Sequence, residues 1–510
     1  MSFLKDMEAV LNEDYNNSTT ENGAVGYRTT GKALLDFNFK VASYRNKSED
    51  EIINDFNKVF YDDKITAMKF LFFIRDREEG LGERRLFRVI IKHLAQTQQT
   101  IVKYVMPLIA EYGRFDDLLE LFDTPLEKNV IELFKDQIDN DAKNFRDKKP
   151  ISLLAKWLPS VNASEKQKEK AKKIIKQWGI TEEFYRKTLS KLRQYIDVTE
   201  RKMCANEWDQ IKYENVPSRA NLNYNDAFLR HDEARRREFL GQVEKGEKKI
   251  HAGKLYPHDI VHKYTDTHSW RDSVKPIDTT LEQLWKALPQ KEIANTLVVA
   301  DGSGSMISTI GKTNVTALDV ANALAIYFAE HNKGEFNNTY ITFSKNPQLV
   351  RFNKSDSLHD KIAKALAHNE VANTNIEKVF GLILKTAIDN KLSQEEMPKN
   401  ILIISDMEFD GCAISNGYKT PSKRLFKVIE ESYNSYSYKL PKLIFWNVAS
   451  RTGTIPMKEN DLGVALVSGF STNIAEMVMN DKLDPLEILL DKLNTPRYEK
   501  VTKILQKVLK

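Results

Sequence analysis

The sequence predicts an α + α/β protein, with an N-terminal α-helical solenoid or ring followed by a doubly wound, mostly parallel sheet domain. Three observations carry this prediction. The chain has 510 residues, more than the roughly 250–300 that one hydrophobic core fills, so at least two domains are expected. Through the first 270 residues or so, apolar positions recur at helical spacing. After about residue 285 short apolar runs alternate with amphipathic helices, the pattern of a parallel sheet covered on both faces.

In the first half, LLDFNFKVASY (34–44), DEIINDFNKVFYD (50–62), ITAMKFLFFIRD (65–76) and RRLFRVIIKHLAQ (84–96) each carry a one-sided apolar stripe. IVKYVMPLIAEYG, FDDLLELFD and NVIELFKDQIDND continue the series to residue 141. Their links are short and hold breakers: Gly80, Gly82, Pro107, Gly113 and Pro125. Stacked antiparallel pairs bury such single-sided helices, which gives a HEAT-like solenoid; an irregular helical bundle does so too. In the second half the strands are TLVVAD (296–301), TYITFS (339–344), NILIISD (400–406), KLIFWNV (442–448) and VALVSG (464–469). PQLVRF (347–352) follows TYITFS closely enough to be an antiparallel edge strand. Two amphipathic helices close the chain. The expected division is 1–285 helical, 286–480 sheet domain and 481–510 C-terminal helices.

Composition narrows the function. No apolar run reaches the roughly 18–20 residues of a membrane span, because charges interrupt every hydrophobic stretch. The opening MSFLKDMEAVLNEDYNNS has acids where a secretory signal needs cations and a long apolar core, so a cytoplasmic protein is expected. Cys204 and Cys412 are too few and too far apart for a disulfide framework or a thiolate zinc site, and read as buried thiols. A net charge of +5 is small for this length, so nucleic-acid binding has to rest on clustered charge.

The most informative segment is Leu297–Met306, LVVADGSGSM. A buried strand ends in Asp301, and small residues follow. In an open parallel sheet the ligand crevice lies at the carboxyl ends of the strands. Asp301, Ser303 and Ser305 alternate across the turn, so a carboxylate and two hydroxyls converge. Later strand-end loops supply Thr374, in Ala372-Asn373-Thr374-Asn375, and Asp406, after NILIIS. Oxygen donors without His or Cys suit Mg²⁺ or Mn²⁺. This Asp-x-Ser-x-Ser, Thr, Asp order resembles the metal-ion-dependent adhesion site of von Willebrand factor A domains. The resemblance implies that Asp301, Ser303, Ser305, Thr374 and Asp406 hold the cation, directly or through water, and that an acidic group of a protein partner completes its shell. A related fold without metal is the alternative. The loop after Asp406 reads Met407-Glu408-Phe409-Asp410 where many members of that family carry a glycine, which makes Glu408 and Asp410 candidate outer acids. DGSGS lacks the spacing of a nucleophile elbow and no phosphate-binding GxxxxGK[ST] occurs, so no enzyme activity is expected. His258 and His262 share a helix face, but further zinc ligands are wanting.

Basic residues cluster in the middle of the chain. Lys172 and Lys173 lie in a lysine-rich helix, Arg186 follows, and Arg219 precedes the run Arg235, Arg236, Arg237. Trp178, Tyr185, Tyr213, Tyr224 and Phe228 are interleaved. Cations on phosphates and rings on unpaired bases suit small or structured RNA. The acids on the same helices offer the plainer reading of i,i+4 pairs. FIRDREEGLGERRLFRVIIKHL, EYGRFDDLLEL, VPSRANLNYNDAFLRHDEARRREFL, LYPHDIVHKY and LVSGFSTNIAEMVM resemble a poorly characterised family that joins a TROVE-like helical region to an A-type domain, distantly similar to Ro autoantigen-type RNA-binding proteins. The resemblance implies a non-enzymatic, ribonucleoprotein-like RNA-binding scaffold with a divalent-cation site. The alternative is a metal-dependent protein-interaction module without RNA. A metal-dependent nuclease is weaker, because two-metal hydrolysis needs paired carboxylates around both ions.

Overall fold

A computed structural model describes residues 3–265, 274–370, 372–411, 424–478 and 482–509. It contains two compact units. One comprises Met1–Glu51, Asn57–Asp62 and Leu255–Lys492, and the other Ile52–Phe56, Asp63–Lys254 and Leu493–Lys510. Cys412 and most of the polar stretch after Tyr264 lie outside the described residues.

The first unit is built on a six-stranded sheet. A short antiparallel pair, β1 (Asn17–Thr19) and β2 (Val25–Tyr27), precedes it. The sheet strands are β3 (Thr296–Asp301), β4 (Thr339–Phe343), β5 (Gln348–Arg351), β6 (Asn400–Ser405), β7 (Lys442–Asn447) and β8 (Val464–Ser468). Their spatial order is β8-β7-β6-β3-β4-β5. All neighbours are parallel except β4 and β5, which pair antiparallel at the edge. Residues of β3, β6, β7 and β8 are buried throughout, which explains why these strands read as unbroken apolar runs rather than alternations. On one face Leu297, Val299, Ile401, Ile403 and Phe445 meet Val379, Phe380, Phe426 and Ile429. On the other, helix Ala317–His331 covers the sheet, with Phe328 and Trp446 ring centroids 5.2 Å apart. Each such large side chain contributes about 1.5–3 kcal/mol on burial.

Part of this core comes from the chain's beginning. Ala24, Tyr27, Leu35 and Phe39 belong to it. Polar bonds fix them: Asn38 Nδ2 donates to Leu466 O at 3.0 Å, and Ala42 N to Ser468 Oγ at 2.8 Å. The division expected at residue 285 is therefore redrawn: the first 51 residues and those from Leu255 join the sheet unit.

The second unit is α-rich. Its apolar helices Lys64–Arg75 and Gln99–Val105 pack with the C-terminal helix Glu499–Val508, and Arg85–Thr97 packs on both of them. The charged string FIRDREEGLGERR has a structural role here. Asp117 accepts from Arg75 Nε at 2.7 Å and Arg88 Nε at 2.6 Å, and is wholly buried. Asp76 accepts both edges of Arg497 at 2.8 and 2.9 Å and the Tyr498 hydroxyl at 3.1 Å. Gly80 packs so closely that a Cβ would stand 2.1 Å from Phe73 O. Among the described residues no helix is long and apolar enough to cross a membrane.

Candidate metal centre

The strand order reverses around β3: its neighbours are β6 on one side and β4 on the other. In open parallel sheets, ligands bind at such a switch point, outside the strand carboxyl ends. Asp301 ends β3 there, 1% exposed. Its Oδ1 accepts from Ser303 N at 2.9 Å and its Oδ2 from Ser405 Oγ at 2.6 Å, across the β3–β6 pairing. Ser303 Oγ and Ser305 Oγ lie 3.1 Å apart, and the Ser305 hydroxyl hydrogen-bonds the Asp406 carboxylate. Gly302 permits the close turn, since a Cβ would meet Asn369 Oδ1 and Thr342 Oγ1 at 2.9 Å.

Asp406 is fully buried one residue beyond β6. Its Oδ1 accepts from Glu408 N at 3.2 Å, and its Oδ2 lies 3.4 Å from Arg451 Nη2. Thr374 is buried on the adjoining loop; its Oγ1 accepts from Asn22 Nδ2 at 3.3 Å and its carbonyl from Asp410 N at 3.0 Å. Met407 holds φ +62° although it is not glycine, strain of the sort that collects at functional loops. All five proposed ligands thus stand on three adjoining loops at one end of the sheet.

Burial pushes the Asp301 carboxyl far above the ordinary range, and the charge of Asp406 adds to the rise. Burial also raises Asp406, against the hydrogen bonds from Ser305 and Glu408 N and the charge of Arg451. Two buried carboxyls with hydroxyls beside them are hard oxygen donors, the donor type that Mg²⁺ and Mn²⁺ take. Among the described residues no three His, Cys, Asp or Glu side chains group at metal-binding spacing, so the acids alone do not make a metal site.

Several residues of the site have no counterpart in the sequence reading. Glu408, read as an outer acid for the cation, turns to a neighbouring loop instead. Its Oε1 accepts from Arg451 N at 2.8 Å and Thr452 N at 2.9 Å, and its Oε2 from Glu21 N at 2.9 Å. The turn between β1 and β2 therefore lies on the rim. Glu21 Oε2 is 2.8 Å from Arg451 Nε, and Asn22 Nδ2 also donates to Glu408 O at 2.5 Å. The alternation of Asp301, Ser303 and Ser305 was visible in the sequence; a turn some 280 residues upstream carried no signal.

The basic residues fare unevenly. Lys172, Arg186, Arg219 and Arg237 are exposed. Lys173 is paired with Asp123 at 2.5 Å and Glu127 at 2.9 Å. Arg235 braces Trp208 O, Ile211 O and Asp232, and Arg237 makes an i,i+4 pair with Glu233. Arg236 has to be withdrawn as a phosphate ligand: it is 0% exposed, caged by Tyr213, Phe228 and Phe239 at 5.1–5.6 Å. Tyr185, Tyr213 and Phe228, read as stacking platforms, are core residues. Cys204, read as buried, is an exposed free thiol. His258 packs against Tyr256 and Phe470, while His262 Nδ1 faces Asp319 at 2.9 Å, so the two histidines serve separate structural contacts.

Residues 295–503 match a domain of unknown function, DUF7788, and residues 162–295 match another, DUF2828. The chain is 30% identical over 523 residues to an uncharacterized protein of Acanthamoeba polyphaga mimivirus, an alignment covering 93% of this chain and 87% of the relative.

Proposed function

The chain belongs to the same family as that mimivirus protein; from the sheet order and the residues at its strand ends we propose that its sheet unit is a von Willebrand factor A-type domain binding Mg²⁺ or Mn²⁺. Asp301, Ser303, Ser305, Thr374 and Asp406 hold the cation, and the protein acts as a non-enzymatic scaffold. One observation carries the reading: Asp301 and Asp406 are both buried at neighbouring strand ends, with the linked hydroxyls of Ser303 and Ser305 beside them. A bound cation supplies an electropositive point for an acidic oxygen of a protein partner. Glu21, tied to Arg451 at the rim, is the chain's own acid on that face, and a partner's carboxylate competes with it. The setting is cytoplasmic. Calorimetric titration with Mg²⁺ and Mn²⁺ tests the site: the wild type binds one equivalent, and Asp301→Asn binds none. Because Asp301→Asn also removes a buried charge, the metal-free variant should be about 1–3 kcal/mol more stable to urea than the metal-free wild type. Equal cation affinity of the two proteins refutes the assignment.

A second reading concerns the helical unit, taken as a TROVE-like solenoid that binds RNA. It is favoured by the exposure of Lys172, Arg186 and Arg219 on this unit. Reversing these three charges should weaken binding of unrelated RNAs alike, since phosphate contacts carry no base information. The log–log salt slope should flatten by about 0.7 per lost contact on a single strand. Gel-shift titrations at several salt concentrations measure both, and RNA affinity insensitive to salt would remove this reading.

A further inference from the structure

Helices Glu182–Tyr195 and Thr199–Cys204, with residues 160–162, line a half-open cavity of about 440 Å³. That volume lies within the roughly 300–1,000 Å³ of small-molecule sites. Val161, Leu189, Val198 and Tyr185 give it an apolar wall, and Arg186, Arg193 and Arg201 give it positive charge. Its one carboxylate, Glu200, faces Lys156 at 3.6 Å. The lining thus favours an anion that also carries a flat or apolar body.

The arginines are not equivalent. Arg193 is spent on the wall itself: Nε donates to Ala155 O at 2.7 Å, Nη1 to Ser160 Oγ at 3.0 Å and Nη2 to Leu158 O at 2.9 Å. Arg201 donates through Nη2 to Glu207 at 3.2 Å, but its Nε is buried without an acceptor. The Arg201 side chain is nonetheless 37% exposed and lines the cavity. Arg186 is exposed on the same cavity. Asn162 and Ser190, also on the lining, offer an amide and a hydroxyl to polar ring edges.

We propose that this cavity binds a nucleotide, with the base against the Val161–Leu189–Val198 wall and the phosphate on Arg186 and Arg201. Inorganic phosphate alone leaves the apolar wall uncovered, and a purely aliphatic acid leaves the amide and hydroxyl unused. A free mononucleotide and one unpaired nucleotide of an RNA strand present the same chemistry. For a strand-borne nucleotide the inference rests on the RNA reading above; for a free mononucleotide it stands alone.

Cys204 is an exposed thiol on the cavity lining and supplies the probe. In the full chain carrying Cys412→Ser, alkylation of Cys204 by iodoacetamide is followed with adenosine or uridine monophosphate, an unstructured oligoribonucleotide, or inorganic phosphate present. Saturable protection by a mononucleotide is expected. Arg201→Gln should weaken it about ten-fold or more, as for loss of one charge-assisted hydrogen bond. Ser190→Trp, which fills the cavity from an exposed position, should abolish it while circular dichroism stays unchanged. Protection by the oligonucleotide alone assigns the site to strand-borne nucleotides. The proposal is overturned if nothing protects at millimolar concentration, if inorganic phosphate protects as well as the nucleotides, or if neither substitution alters protection. RNA gel shifts with Lys172 and Arg219 reversed report on the RNA reading separately, since neither residue lines this cavity.

Discussion

At the scale of single residues, Glu408 shows how one buried carboxylate organises the rim of a site without entering it. It is 0% exposed, yet its two oxygens accept from Glu21 N, Arg451 N, Thr452 N and the hydroxyls of Ser450 and Thr452. A carboxylate supplies enough lone pairs for such a set; an alanine supplies none and strands several buried donors. Glu408→Ala should therefore lose about 3–5 kcal/mol of stability, measured by urea unfolding. Glu408→Gln should lose less, because one acceptor oxygen remains. If Glu408 instead belonged to the cation shell, the glutamine variant would lose Mg²⁺ affinity at unchanged stability. The convergence of Asp301, Ser303 and Ser305 was legible because a strand end followed by alternating small polar residues gathers their side chains in one turn. The partners of Glu408 were not, because they lie on loops distant in the chain that periodicity does not link. Nor was the fate of Arg236 legible, since an arginine run on a helix looks the same whether it faces water or an aromatic cage.

At the scale of elements, helix Ala317–His331 begins with a reciprocal cap. Thr316 Oγ1 accepts from Asp319 N at 3.0 Å, and Asp319 Oδ2 accepts from Thr316 N at 3.0 Å. Asp319 also meets His262 Nδ1 and the Thr265 hydroxyl, each at 2.9 Å. Burial alone would raise its carboxyl, but the hydrogen bonds from His262, Thr316 N and Thr265, with the charge of His262, hold it below the ordinary value of 3.8. A carboxyl lowered by folding stabilises fully above its unfolded pKa and loses that contribution as pH falls through the folded value. The sheet unit should thus weaken in acid below about pH 4, partly through Asp319. Asp319→Asn should cost about 1–2 kcal/mol at pH 7 and give a flatter stability profile across the acid limb. Denaturant midpoints from pH 2 to 7 would show it; parallel profiles for both proteins would assign the acid loss elsewhere. The six strands of the main sheet and most helices were readable from the sequence because their patterns are local, as unbroken apolar runs or a period near 3.6, whereas the short β1 and β2 pair has neither pattern.

At the scale of the whole molecule, local pattern stops being informative, because both units are assembled from distant parts of the chain. Arg497 and Tyr498, near the end, hold Asp76 in the helical unit, and Tyr112 stacks on Tyr498 with centroids 5.7 Å apart. Arg497→Ala should destabilise that unit by about 3–5 kcal/mol, since it leaves the buried Asp76 without its charged partner. The sheet unit makes the same point at its other end. A fragment cut at 286 and 480, the limits suggested by composition, contains every strand of the main sheet and all five proposed cation ligands. It lacks Ala24, Tyr27, Leu35 and Phe39 from the core, and the bonds from Asn38 and Ala42 to β8. Removing several large core side chains at about 2–5 kcal/mol each exceeds the 5–15 kcal/mol that a typical domain possesses. The fragment should therefore be expanded and bind dye as a loosely packed state, whereas joining residues 1–51 and 255–285 to it should restore a cooperative thermal transition. A sharp calorimetric transition for 286–480 alone would mean that the N-terminal segment decorates the sheet unit and does not complete its core.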